Sequence, residues 1–340
     1  MSGRSRKLLS RMLWINPEIE DDDAPAAPAA SKSRSLPVTP HRVSRTKPEP
    51  QAPLPAQPDL YNEHFGFAVR PFALTPDPDF LFWPPGHLRA YTMLEYGIMT
   101  HAPITLITGE VGAGKTTLLL HLLRTLGRDV RVGLISNPNG SRNELLRWVL
   151  HALEQPADLD ENYVDLFSRF QNFLFSEYAS GRRVILIFDE AQNLSAEALE
   201  ELRMFININS GKDELLQLVL IGQPELREMV SRKEMRQFAQ RIAASYHLTA
   251  MDLKTIRAYI PHRLKAAGCE RKIFSPAAIR LIFEETRGVP RLVNQLCDLS
   301  LVYAFSRGKL TVSRATVQQV LNDGAFFAVH AAADEVVIPE

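Results

Sequence analysis

One stretch constrains this chain more than any other: Ile104-Thr-Leu-Ile-Thr-Gly109-Glu110-Val111-Gly112-Ala113-Gly114-Lys115-Thr116-Thr117. It reads as a buried strand, a glycine-rich turn and the start of a helix. Gly109, Gly114, Lys115 and Thr116 match the spacing G-x-x-x-x-G-K-[ST] of a phosphate-binding loop. Glycines let the backbone curl until its N–H groups point inward at a polyphosphate, and the following helix presents the positive end of its dipole. In such a loop Lys115 reaches the β- and γ-phosphates and the Thr116 hydroxyl sits on Mg²⁺. Residues 109–117 are therefore expected to hold a nucleotide, ATP, with Mg²⁺.

The 340-residue length allows one large domain or two ordinary ones. Formal net charge is zero, which removes any global electrostatic footprint for nucleic acid and leaves only local patches. Two cysteines, Cys269 and Cys297, lack zinc spacing and suggest no disulfide framework. No apolar run approaches the length of a membrane span, and Ser10 and Arg11 break the apolar residues near the start. The expected location is the cytosol.

Residues 1–60 differ from the rest. Pro25, Pro28, Pro37, Pro40, Pro48, Pro50, Pro53, Pro55 and Pro58 punctuate a segment rich in Ala, Ser and Arg. Such a segment buries too little apolar surface to offset its ordering entropy and reads as a disordered arm. Within residues 2–16, Arg4, Arg6, Lys7 and Arg11 alternate with Leu8, Leu9, Met12, Leu13 and Trp14. That pattern fits either a short amphipathic helix touching an anionic membrane or a solvated tail. Order begins near Tyr61, in a segment dense in aromatics and prolines. Helices are predicted over residues 87–100, 118–126, 145–153 and 196–206, with Ser195 as a helix cap and a capping box at Ser141 and Glu144. Strands are predicted over 104–109, 130–136, 183–188 and 215–221, with a helix over 232–243 leading into a short strand at 246–248. Strands separated by helices imply an α/β fold, its parallel sheet covered on both faces, with ligands at the carboxyl ends of the strands. From residue 253 the pattern is all helical. The expected domains are residues 1–60, an arm; 61–252, a nucleotide-binding α/β domain; 253–325, a helical domain; and 326–340, a tail.

Asp189 follows the apolar run Val184-Ile-Leu-Ile-Phe188, so its carboxylate emerges at the sheet edge facing the loop, where it shares Mg²⁺ with Thr116. Glu190 comes next and faces elsewhere. Its natural task is to orient and deprotonate the water that attacks the γ-phosphate.

With these residues in place the chain resembles an AAA+ ATPase, and within that class the general secretion pathway protein A family, including its members beside exosortase and exopolysaccharide loci. The resemblance is carried by Phe65-Gly-Phe67, Pro71-Phe72, Leu74-Thr-Pro-Asp-Pro78, Phe80-Leu-Phe82, His87, Tyr96-Gly97, the loop itself, Asp189-Glu-Ala-Gln192-Asn-Leu194, Gly222-Gln-Pro-Glu-Leu226, Gln240-Arg241 and Gly288-Val-Pro-Arg291. It covers residues 61–325 and implies a parallel five-stranded sheet sandwiched by helices, with a C-terminal helical lid. It also implies roles. Gln223 takes the position called sensor 1, and Arg291 resembles sensor 2, a lid arginine that contacts nucleotide. Arg241 resembles the arginine finger that completes a neighbouring subunit's site, with Arg236 as its rival, so a homo-oligomeric ring or filament is implied. Asn137 either gates Glu190 through a hydrogen bond or is a turn asparagine.

Secretion-pathway members often continue into a membrane span and a periplasmic peptidoglycan-binding domain. This chain stops near the end of the lid, which brings it nearer to the exosortase and polysaccharide members. The resemblance thus implies an ATPase serving an envelope secretion or polysaccharide-export system, peripheral at the inner membrane if residues 2–16 bind lipid. The alternative is a DNA-associated regulator like the transposition helper ATPases. It rests on the cluster Arg232, Lys233, Arg236 and Arg241 and is ranked second.

Overall fold

The computed structural model describes residues 60–75, 80, 82–127, 129–138, 142–155, 160–210 and 213–327. The basic amphipathic stretch at 2–16, the rest of the arm to residue 59, Ser141 of the capping box and the end of the tail lie outside the described residues.

The apolar runs of the sequence become strands β1 (Ile104–Gly109), β2 (Val130–Ser136), β3 (Arg183–Asp189), β4 (Leu216–Gly222) and β5 (Ile242–Leu248). They form one five-stranded sheet in the order β2-β3-β4-β1-β5, and every pairing is parallel. Alternate side chains feed opposite faces, as a pleated strand requires. Ile104, Leu106, Leu186, Phe188, Leu218 and Leu220 enter one core. Ile107, Ile185, Ile187, Val219 and Ile221 enter the other. Helices α1 (Pro85–Met99) and α2 (Lys115–Thr125) cover the second face, through Leu94, Leu118 and Leu119 among others. Helices α3 (Arg142–Ala152), α4 (Tyr163–Ala179) and α5 (Ala196–Phe205) cover the first, through Leu146, Phe170 and Leu199. Ser195 caps α5 as expected, its hydroxyl accepting from the Ala198 N–H at 3.2 Å. Gly97 lets α1 lie on β1: a Cβ there would fall 2.0 Å from Thr105 Oγ1.

One expectation fails. The helix predicted over residues 232–243 is a 3₁₀ turn at Lys233–Met235 and a single helical turn at Arg236–Ala239. Strand β5 starts four residues early, at Ile242. Pairing with β1 in register, Ala244 opposite Thr105 and Leu248 opposite Gly109, overrides the expected helix.

Helix α6 (Pro224–Val230) follows β4, and past β5 the chain is helical: α7 (Leu253–Ala266), α8 (Pro276–Thr286), α9 (Pro290–Ser306) and α10 (Arg314–Asn322) form the lid. Both cysteines are buried and free. The aromatic segment expected to belong with the α/β domain contributes its buried side chains elsewhere. Tyr61, Phe65, Phe67, Phe72 and Phe80 share one core with Ile256, Ile260, Leu296 and Leu301 of the lid. A strap from residue 60 to 75 is fastened there by polar bonds as well. The Tyr61 hydroxyl and the Arg70 guanidinium both donate to Asp298 on α9. Arg263 Nε donates to the Pro71 carbonyl at 2.7 Å, and the Ala68 N–H to the Ala267 carbonyl at 2.8 Å. The aromatic pattern announced rigid packing, and the partner was decided by which apolar face lacked cover.

Asp298 is the hub of this fastening. Its replacement by alanine leaves the buried Tyr61 hydroxyl without an acceptor, whereas Arg70, about half exposed, regains water. Asp298→Ala is expected to cost roughly 1–3 kcal/mol and Tyr61→Phe about 1 kcal/mol, read from urea denaturation midpoints.

Candidate active site

The phosphate loop connects β1 to α2, and the carboxyl ends of β1, β3 and β4 open onto it. A cavity of 420 Å³ lies at its mouth. One wall is the loop itself, from Val111 to Thr117, with Glu190. The strap supplies Ala73, Leu74 and Thr75, the segment before α1 supplies Phe80 and Phe82, and the lid supplies Tyr259, Arg263, Arg291 and Asn294. These parts of the fold thus converge on one hollow.

Lys115 is buried, and its ammonium donates to the carbonyls of Gly109 at 2.6 Å and Glu110 at 2.9 Å. Burial pushes its pKa down, while Glu190, Asp189 and Glu110 push it up. A polyphosphate alongside would strengthen that second influence. Thr116 Oγ1 donates to Asp189 Oδ2 at 3.4 Å. Burial raises the Asp189 carboxyl above its ordinary range, and the N–H of Glu190 partly opposes it. A buried carboxylate facing a hydroxyl is a hard-oxygen pair suited to Mg²⁺, which completes its shell from phosphate and water. The loop also fits the anion: Gly112 and Gly114 hold φ of 78° and 97°, which aim backbone N–H groups into the turn.

The lid touches the loop directly. Arg291 N–H donates to the Gly112 carbonyl at 3.2 Å. A Cβ on Gly112 would meet the Arg291 Cβ at 2.6 Å. Arg291 therefore stands at the start of α9 against the loop, beside the cavity.

Gln223 follows the end of β4, at the start of α6, and its Nε2 donates to Glu190 Oε2 at 3.2 Å. Asn137, read as either a gate on Glu190 or a turn asparagine, has no bond to Glu190 among the described hydrogen bonds. Asn137 Oδ1 accepts instead from Asn193 Nδ2 at 2.6 Å, and its N–H donates to the Asp189 carbonyl at 3.1 Å. Asn137 takes a left-handed φ of 55°, a turn conformation that asparagine tolerates and that turns the end of β2 toward Asn193. The partner of Glu190 that the sequence reading missed is Gln192, whose Nε2 donates to Glu190 Oε2 at 2.6 Å. Its one sequence signal was an amide two residues past the carboxylate.

Arg241 stands apart from this group. It precedes β5 at the level of Ile104, one strand length, roughly 17 Å, from the loop. It is exposed, and its Nη2 donates to Asn207 Oδ1 at 2.9 Å. Arg236 is exposed on the neighbouring helical turn.

His87 is a second residue for which the sequence reading had no role. It sits on the first turn of α1, with Nε2 2.9 Å from the Ala113 carbonyl. The carbonyl can only accept, so Nε2 carries the proton. The same ring nitrogen lies 2.9 Å from where a Gly114 Cβ would be. His87 thus braces the back of the loop. Burial pushes its pKa down, against the pull of that hydrogen bond. Because the folded pKa lies below the unfolded one, the neutral ring stabilises the fold above pH about 6.5 and the contribution is lost as pH falls below it. His87→Gln keeps a donor and removes the titration. It is expected to flatten the loss of denaturation free energy between pH 7 and 5. His121 and His247, also held low by burial, leave a residual slope.

Comparison with known proteins agrees with this geometry. A family model described as an AAA domain matches residues 98–230. General secretion pathway protein A of Aeromonas hydrophila is 38% identical over 249 residues, which are 73% of this chain and 46% of that protein. The chain therefore spans about half the length of that curated relative. Among solved structures, the Aeropyrum pernix ORC2 protein in its ADPNP-ADP complexes superposes with a TM-score of 0.56 at 16% identity, covering 77% of this chain and 72% of that one. Cdc6p of Pyrobaculum aerophilum gives 0.57 at 16% identity, with 79% and 72% covered. Drosophila ORC bound to DNA gives 0.58 at 16% identity, with 82% and 70% covered. At such identities the likeness is one of fold. Residues 98–230 thus match an AAA domain within the five-stranded fold, and the chain is similar to general secretion pathway protein A over 73% of its length.

Proposed function

We propose that this protein hydrolyses ATP with Mg²⁺, as an oligomer, and that this drives or regulates an envelope secretion or polysaccharide-export system. The observation that carries the reading is the convergence of Lys115, Thr116, Asp189 and Glu190 at one cavity mouth, closed by the lid at Arg291. The loop from Gly109 to Thr117 cradles the phosphates with its N–H groups, and Lys115 leaves its carbonyl partners for the β- and γ-phosphates. Thr116 and Asp189 would hold Mg²⁺, which supplies charge neutralisation on the phosphates. Glu190 orients the attacking water and takes its proton. Gln223 and Arg291 read the γ-phosphate from the sheet and the lid. Phe80 and Phe82, just before α1, line the same cavity and suit the flat base.

Arg241 lies too far from its own loop to serve it. An exposed arginine at the opposite end of the sheet supports action on a second copy, which makes the site a shared one. The secretion-pathway homologue supports an envelope role, and residues 2–16 supply a peripheral contact with anionic lipid at the inner membrane. No described helix is long and apolar enough to cross a membrane.

Glu190→Gln is expected to keep ATP binding and lower kcat by about 10²–10⁴, while Lys115→Ala loses binding. Unchanged turnover in Glu190→Gln overturns the base assignment. Arg241→Ala is expected to bind ATP normally and lose roughly 10³-fold or more in turnover. Turnover per subunit that is independent of protein concentration and untouched by the substitution overturns the shared site. In the same assay, anionic vesicles are expected to stimulate and duplex DNA to have no effect; stimulation by DNA alone would assign the protein to a DNA-associated role.

A further inference from the structure

A carboxylate that removes a proton from water works best with one oxygen held and the other open. Glu190 is arranged in that way. Its Oε2 accepts from Gln192 Nε2 at 2.6 Å and from Gln223 Nε2 at 3.2 Å. Among the described hydrogen bonds none falls on Oε1. The backbone of Glu190 is left-handed, with φ of 56°, a conformation that a non-glycine residue keeps only where its surroundings hold it.

Gln192 uses both ends of its amide. While Nε2 holds Glu190, Oε1 accepts from the Gln223 N–H at 3.0 Å. The amide orientation follows from its partners, because the flipped form would set oxygen against carboxylate and N–H against N–H. Close approach is required for this bridge. A Cβ on Gly222 would fall 3.0 Å from Gln192 Oε1 and 3.2 Å from its backbone nitrogen. One side chain thus ties the end of β3 to the end of β4.

We propose that Gln192 is a positioning residue for hydrolysis: it fixes the Glu190 carboxylate on one oxygen and couples its placement to Gln223. The proposal rests on Glu190 being the base. A shift of Gln223 on meeting or losing a γ-phosphate is then transmitted to the base through a single amide. Asn137, hydrogen-bonded to Asn193, takes no part.

The test is steady-state ATP hydrolysis by the full chain, with nucleotide affinity measured separately. Gln192→Ala is expected to lower kcat about tenfold, the worth of one charge-assisted hydrogen bond, with ATP affinity unchanged. Gln192→Glu sets a second carboxylate against Glu190 and is expected to lower kcat further at unchanged affinity. In the Glu190→Gln background, Gln192→Ala is expected to add nothing. A purely structural glutamine would lower stability or ATP affinity, or lower turnover as much in the Glu190→Gln background as in the parent, and either result overturns the proposal. Wild-type turnover in Glu190→Gln would remove the base reading itself. Collapse in Glu190→Gln with an unchanged rate in Gln192→Ala would remove the role of Gln192 alone.

Discussion

The contact on which the rest of the structure depends is the meeting of Gly112 with Arg291. The loop carbonyl accepts from the first turn of α9, and the absence of a side chain on Gly112 lets the two backbones close to within a Cβ's width. That closure forms the cavity from loop, lid and strap. It also makes the loop's shape and the lid's position one mechanical variable, because neither moves without disturbing the bond between them.

The strap extends this coupling. Tyr61 and Arg70 grip Asp298, and Phe65, Phe67 and Phe72 fill the lid core. Residues 60–75 therefore belong to the lid by packing, although they precede the sheet in sequence. Whatever is attached before Leu60 is joined covalently to the part of the molecule that contacts the nucleotide loop.

Polar residues around the site divide by how they are held. Lys115 and Asp189 are buried, with pKa values shifted by desolvation and opposed by neighbours of the other charge. They are poised for ligands that carry the missing charge. Glu190 is only half buried and is held by neutral amides instead.

Local chemistry made much of this legible in the chain. The phosphate loop, the apolar runs that became β1, β3 and β4, the carboxylate pair after β3, the Ser195 cap and the four lid helices are each determined by residues close together in sequence. Three matters were decided by tertiary structure. Residues 242–245 joined β5, at the cost of the end of the helix expected over 232–243, because β1 needed a partner strand on its open side. The aromatic strap chose the lid because that core lacked cover. Glu190 took Gln192 and Gln223 as partners, and Asn137 took Asn193, because a left-handed backbone at both Glu190 and Asn137 redirected side chains. Spacing reveals which residues carry chemistry, since reactivity is a property of side-chain type and local backbone. Which of them touch depends on strand order and backbone angles, and these are settled only when distant segments compete for the same face.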